Sequence, residues 1–264
     1  MDYLVQNAGT VQWIAFAAAF LAIAVWETVS PLRDPKVSTP KRWGIHLVLL
    51  VLSGVLESFV LRITPLAAAL AAPGWGLLRN LPTAAQWAAA ILLLDLVHYG
   101  THRLYHRVGF LWRLHSVHHS DPDFDVSTAV RFHPLEVILT SAIYVAAILV
   151  LAPPPAAVAA AELHTTLLNF FAHANARLPA RASALLGRIL ITPGLHRLHH
   201  SIREQDQGKN LGQTFVWWDR LFGTYGPEPA SGPVSDVGLE EASPEQATRI
   251  WFLFAEPFQP PEKR

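Results

Sequence analysis

The chain has 264 residues, 52% of them hydrophobic, and its 20 Lys and Arg balance 20 Asp and Glu. Its mean hydropathy of +0.28 lies above ordinary globular usage, so part of the apolar mass calls for lipid as its solvent. Zero net charge sets nucleic-acid binding aside, and the lack of cysteine excludes disulfides, thiolate catalysis, zinc ribbons and Cys-held iron–sulfur clusters as features of this chain.

The first apolar stretch, residues 11–26, ends at Glu27 and Pro31 in a basic loop. No basic residue precedes it and no clear cleavage site follows, so it reads as a retained helix rather than a cleaved signal. Further stretches follow at 43–60, 84–97, 135–151 and 156–171. Pro153, Pro154 and Pro155 separate the last two and force a turn, which predicts a helical hairpin over 135–172. Between 63 and 83, the run with Pro65, Pro73, Gly74, Trp75 and Pro82 reads as an interfacial re-entrant connection, with Trp75 at headgroup level. Several stretches fall short of the roughly 20 residues that cross a hydrocarbon core of about 30 Å. The expected fold is therefore an all-α integral membrane bundle of about four to five spans with a histidine-rich helical cap in the cytosol. Three regions are expected: membrane spans and an interfacial segment in 1–97, a histidine-box region in 98–225, and a polar cytosolic tail in 226–264.

Arg33, Lys36, Lys41 and Arg42 follow the first stretch, and Arg103, Arg107, Arg113 and Arg131 follow the third. The positive-inside rule puts both groups in the cytoplasm, with the N-terminus outside and the later histidines on the cytoplasmic side. The high Ala, Pro and Arg content hints at a bacterial inner membrane.

Histidine is the outlier. Of 13 residues, only His46 falls in the first 97 positions. Asp95, His98, His102 and His106 recur at steps of three or four in DLVHYGTHRLYH; His115, His118 and His119 form an HxxHH box, and His196, His199 and His200 form another. On helices these spacings align imidazoles on one stripe, and imidazole suits zinc, copper, iron and nickel. The two boxes and the His102/His106 pair supply eight imidazoles, more than a four-coordinate ion takes and enough for two. Each box alone also fits a merely polar helix face; all of them together do not, because a stripe of uncompensated imidazolium beside a membrane is costly. His173 in NFFAHAN stands where the fifth stretch ends and is expected to join them. His98 with Asp95 suits an orienting carboxylate pair behind the ligands, and His133 in RFHPLE suits a substrate entrance. His46 and His164 read as hydrogen-bonded packing residues.

The run from DLVHYGTHRLYH through LWRLHSVHHS and RFHPLE, then NFFAHAN, TPGLHRLHHS and NLGQTFVWWDRLFGTY, resembles the fatty acid hydroxylase superfamily, also called the sterol desaturase family, over residues 92–225. The resemblance implies a non-haem di-iron centre that uses dioxygen to hydroxylate or desaturate a lipid. It assigns iron to His102, His106, His115, His118, His119, His173, His196, His199 and His200. Relatives sometimes carry one more histidine where this chain has Asn169, so Asn169 or a water would complete that side, with Asn175 beside it. The chain carries no haem, flavin or nicotinamide fingerprint, so electrons are expected from a separate ferredoxin- or cytochrome-type donor chain. Arg131, Arg197 and Arg203 read either as ordinary positive-inside arginines or as a surface for that donor or a lipid headgroup. Asp219, Arg220 and the aromatics around them read as structural. Two rival readings stay open: a zinc-dependent membrane lipid hydrolase, and a bis-histidine haem or metal-transport protein.

Overall fold

The computed structural model describes residues 5–72 and 74–259, so Pro73 and residues 260–264 of the tail lie outside the described residues. Among the described residues the chain is helical, with isolated β-bridges and no strand. Three segments are long and apolar enough to cross a membrane: Ala8–Val29, Thr39–Ala71 and Pro134–Leu151. The first is helix α1. The second comprises α2 (Thr39–Leu61) and α3 (Pro65–Ala71), separated by a left-handed Arg62 and the Thr64 cap. The third is α6. Trp13, Ile14, Leu21 and Val25 on α1 and Leu47, Val55 and Phe59 on α2 are exposed, an apolar belt that water does not tolerate on this scale.

Helices α4 (Thr83–Arg107) and α7 (Pro155–Ala172) cover the other two apolar stretches but are not among the three segments long and apolar enough to cross a membrane. Their polar residues face inward: Asp95 is buried on α4, and Glu162 on α7 takes a hydrogen bond from Gln12 of α1 at 3.0 Å. α6 packs on α2 and α4, α7 packs on α1 and α4, and α3 lies across α6 and α7. Ala68, Ala69, Ala90, Ala157 and Ala161 are buried at these contacts. Lipid gives helices no hydrophobic reason to associate, so small residues that let backbones approach do that job.

The proline triplet does turn the chain, with Ala152 in the left-handed region at φ 46°. The expected hairpin is nevertheless opened: α6 and α7 splay around α3 and α4 and share a core with Leu94 instead of packing mainly on each other. In the connection after α3, Leu77 N and Leu78 N donate to the Val150 and Leu151 carbonyls at 3.2 and 2.9 Å. These bonds satisfy acceptors that the end of α6 leaves open.

At the opposite end of the bundle the C-termini of α1, α4 and α7 meet the N-termini of α2 and α6. Above them sits the cap, built from α5 (Gly109–His119), a 3-10 turn (Val126–Val130), α8 (Ala180–Leu186), α9 (Pro193–His199), α10 (Glu204–Gln207), α11 (Trp217–Phe222) and α12 (Ile250–Ala255). Glu27, at the end of α1, accepts from Val126 N and Asn175 N at 2.8 and 2.7 Å and so joins three segments at one point. The tail is not polar throughout: in α12, Leu253 packs on Leu49 of α2 and Val117 of α5.

Two cations counted for membrane orientation prove to be internal. Arg42 is fully buried and forms ion pairs at 2.8 Å with Asp121 and Asp125. Arg131, equally buried, donates to Val117 O, Ser120 Oγ and Ala247 O and bonds His46 Nε2. Their positions record packing of the cap onto the bundle, not the charge of a loop.

Candidate metal centre

Four elements deliver nine imidazoles to one volume. α4 brings His102 and His106, α5 brings His115, His118 and His119, His173 caps the end of α7, and α9 with its C-cap brings His196, His199 and His200. Their ring nitrogens sort into two groups, each with its ligand atoms within 4.8 Å of one another: His102, His106, His115, His119 and His199 in one, His118, His173, His196 and His200 in the other. Both HxxHH boxes are split. On α5 the i, i+4 pair His115 and His119 serves the first group while His118 serves the second; on α9 the i, i+4 pair His196 and His200 serves the second while His199 serves the first.

The outward nitrogens are held. His102 Nδ1 bonds Leu211 O at 2.9 Å, His118 Nδ1 bonds Arg131 O at 3.2 Å, His173 Nδ1 bonds Asn169 O at 2.9 Å, and His199 Nδ1 bonds Lys209 O at 2.9 Å. A carbonyl oxygen only accepts, so each of these rings carries its proton on Nδ1 and turns a bare Nε2 lone pair inward. His115 differs, for its Nδ1 meets the carboxylate of Glu136 at 2.6 Å.

The inner nitrogens then face one another. His102 Nε2 stands 3.1 Å from His115 Nε2, and His173 Nε2 stands 3.3 Å from His118 Nε2 and 3.0 Å from His196 Nε2. Nε2 of His106, His119, His199 and His200 is buried with no hydrogen-bond partner. Lone pairs in contact, and buried acceptors that each cost about 1–3 kcal/mol when unmet, are unfavourable unless a cation lies among them. Two imidazoles bound to one ion at about 2.1 Å place their nitrogens about 3.0–3.4 Å apart at right or tetrahedral angles, the separation seen here. Burial and mutual repulsion also hold His118, His119, His196 and His200 well below the usual imidazole range and His199 at about 3. They are neutral, as ligands must be. The donor set fits metal in both groups.

A cavity of about 260 Å³ opens from this cluster into the bundle between α4, α6 and α7. His98, Thr101 and Tyr105 line one wall, Glu136, Val137 and Thr140 another, and Thr165 and Asn169 a third. Asn169 donates its amide to Ala129 O at 3.1 Å and lines the cavity. Asn175 stands behind the site, its carbonyl accepting from Arg197 at 2.8 Å and its amide donating to Arg33 O.

Three sequence expectations are corrected. Asp95 does not orient His98: it accepts from the Trp218 indole at 2.8 Å and from Phe215 N, while His98 stacks on Tyr144 in the cavity wall. His133 is not at the cavity; it caps α6 by accepting from Leu135 N and packs on Phe254 and Phe258. Arg131 and Arg197 cannot meet a partner at the surface, because both are fully buried; Arg197 lies over the Phe124 ring. Arg203 is exposed but paired with Asp206 at 2.7 Å. Sequence reasoning passed over Glu136, although one acid in the first turn of a long apolar helix marks a site. It also passed over Asp121 and Asp125, which the SDPDFD run after the first HxxHH box displays plainly.

The closing WDRLFGTY segment acts as a bracket. Asp219 accepts from Leu211 N, Gly212 N and Thr224 Oγ1 at 2.7, 2.9 and 2.6 Å, which places the Leu211 carbonyl against His102. Burial pushes the Asp219 carboxyl up to about 6 despite those bonds.

Fold and site together define a helical, membrane-associated protein whose histidines form two groups suited to holding metal at one end of the bundle. The fatty acid hydroxylase family profile matches residues 87–224, and the chain belongs to that family. It is 35% identical to human alkylglycerol monooxygenase over 152 residues, 56% of this chain and 33% of that protein. It is 34% identical to the Danio rerio alkylglycerol monooxygenase over 54% of this chain and 31% of that protein. To the ornithine lipid hydroxylase OlsE of Rhizobium tropici it is 30% identical over 60% of this chain and 46% of that protein. The chain thus spans about a third to a half of the length of these relatives. No solved structure matches it significantly.

Proposed function

We propose that this protein is a membrane-bound, non-haem di-iron oxygenase that hydroxylates a lipid, using dioxygen and electrons from a separate donor. The observation that carries the reading is the sorting of nine imidazoles into two groups at the floor of a cavity that opens among the membrane helices. The relatives' names, a monooxygenase and a hydroxylase acting on lipids, favour hydroxylation over desaturation. His102, His106, His115, His119 and His199 would hold one iron, and His118, His173, His196 and His200 the other.

Iron bound there supplies the oxidising power that an unactivated C–H bond demands, which zinc lacks. The chain's own residues do the rest. Val137 and Phe132 keep the cavity apolar beside the histidines, so an alkyl segment fits and bulk water is disfavoured. Glu136 holds the His115 ring, and Tyr105 ties α4 to α6 through Glu136 O and Thr140 at 3.1 and 2.9 Å, fixing two walls against each other. The histidine end is read as cytoplasmic from Arg33, Lys36 and Lys41 and from Arg103, Arg107 and Arg113, and the membrane as a bacterial inner one from the high Ala, Pro and Arg content. That side admits a ferredoxin- or cytochrome-type donor.

Metal analysis of the detergent-purified protein tests this. The reading expects about two irons per chain, a loss in both His118→Ala and His199→Ala, which remove one ligand from each group, and lipid oxidation that stops without oxygen or reductant. Stoichiometric zinc undiminished in both variants, with activity under anaerobic conditions, would overturn it in favour of a hydrolase.

A further inference from the structure

The cap presents an apolar and basic face that neither the metal centre nor the cavity uses. It is formed by α8, the turn at 187–189 that follows it, and α11, which that turn meets: Val216 N bonds Ile189 O at 3.0 Å, and Arg220 donates to the Gly187 and Arg188 carbonyls at 3.1 Å. Leu185 of α8, Ile189 of the turn after it, and Trp217, Leu221 and Phe222 of α11 are exposed, Leu185 at 63% and Leu221 at 68%. Around them stand Arg177, Arg181, Arg188 and Arg220, and among the described residues none of the four has a carboxylate within ion-pair distance. Glu228, the acid lining the groove beside them, accepts from Ser183.

The depth of this face follows from what it touches. Trp218 and Phe215 N bond Asp95, Phe222 stacks on Tyr99 at 5.4 Å, and Phe215 lies against His164 of α7. Asp95 falls inside the apolar stretch of α4 and Tyr99 just beyond it, so α11 runs alongside the bundle at the level where that stretch ends. Exposed Leu104, Val108 and Phe110 continue the apolar band around α4 and α5. Apolar side chains and a tryptophan at this level, ringed by arginines whose stems can lie along apolar surface while their heads reach outward, are the composition of an interfacial membrane surface.

We infer that the α8–α11 face is a monotopic membrane-binding surface, sunk into the headgroup layer and held there by anionic lipid. The inference rests on the bundle spanning a bilayer. It gives the cap a second attachment besides the spans and keeps the metal end pressed to the lipid surface from which a substrate enters.

Because the chain has no cysteine, single-cysteine variants carry one environment-sensitive fluorophore each. Leu185→Cys and Leu221→Cys are compared with Glu240→Cys, on the exposed tail, and Val55→Cys, on the exposed face of α2, in nanodiscs of phosphatidylcholine with and without phosphatidylglycerol. Thermal melting confirms that each labelled variant keeps the parent fold; both test positions are exposed, so labelling leaves the core intact. The expected result is blue-shifted emission at 185 and 221, quenched by lipid-borne nitroxide, deepening with phosphatidylglycerol and reduced when Arg181→Gln and Arg188→Gln are added. Water-like emission at 185 and 221 with lipid-like emission at 55 overturns the inference while the bundle reading stands; water-like emission at 55 as well removes the membrane reading beneath it. Lipid contact indifferent to phosphatidylglycerol overturns the assignment to anionic lipid.

Discussion

At His115 the ring nitrogen facing away from the cluster meets a carboxylate, whereas those of His102, His118, His173 and His199 meet backbone carbonyls. A carboxylate behind an imidazole raises its basicity and fixes its orientation, and losing such a partner costs roughly 10–100-fold in metal affinity. Glu136→Ala should therefore release metal to a competing chelator at roughly 10–100-fold lower chelator concentration than the parent. Glu136→Gln, which keeps an acceptor but not the charge, should fall between. Equal retention in Glu136→Ala would show that packing alone holds His115. At this scale the sequence was most informative about the ligands and least about their partners. Helical spacing brings the imidazoles together by arithmetic. Asp95, however, seemed the natural companion of His98 because it lies one turn away, and only tertiary packing brings the Trp218 indole and Phe215 N to that carboxylate. Arg42 and Arg131 carried the same hazard: a basic residue near a span end reads as loop charge until the buried acids that claim it are located.

Among the elements, the closing segment shows how a short loop controls a distant ring. Gly212 lies so close to its bracket that a Cβ there would stand 2.8 Å from both the Asp219 carboxylate and Phe215 O. Gly212→Ala should destabilise the protein by about 1–3 kcal/mol, the range for overpacking a tight site, and should loosen His102 by shifting Leu211 O. Thermal melting in detergent reads the first effect and metal content the second; an unchanged melting point would mean the bracket has slack. The helices themselves were legible from apolar runs and prolines. Their pairing was not. The proline triplet announces a turn between α6 and α7 but carries no information on what slips between them, and the insertion of α3 and α4 follows from alanines whose role emerges only once the backbones touch. In the tail, scattered acids and prolines mask α12, whose apolar face meets Leu49 and Val117.

For the whole molecule, the histidine cluster is also a point where the cap meets the bundle, since α4 and α7 supply His102, His106 and His173 while α5 and α9 supply the others. An ion that binds only the folded chain stabilises it by about 4 kcal/mol when present at 1,000 times its dissociation constant. Exhaustive chelation should thus lower the melting temperature, and ferrous ion under anaerobic conditions should restore it. A melting point indifferent to chelation would mean that the hydrogen bonds behind the rings suffice to hold cap and bundle together.

The split histidine doublets set a further constraint on such an enzyme. His118 and His119 belong to different groups, as do His199 and His200, so at two places the two metal positions are bridged by neighbours in the chain whose Cα atoms are about 3.8 Å apart. Metal held in both groups would be linked through those two peptide bonds, whatever the separation of the helices. A shift of one helix against another would therefore leave each doublet still reaching into both groups.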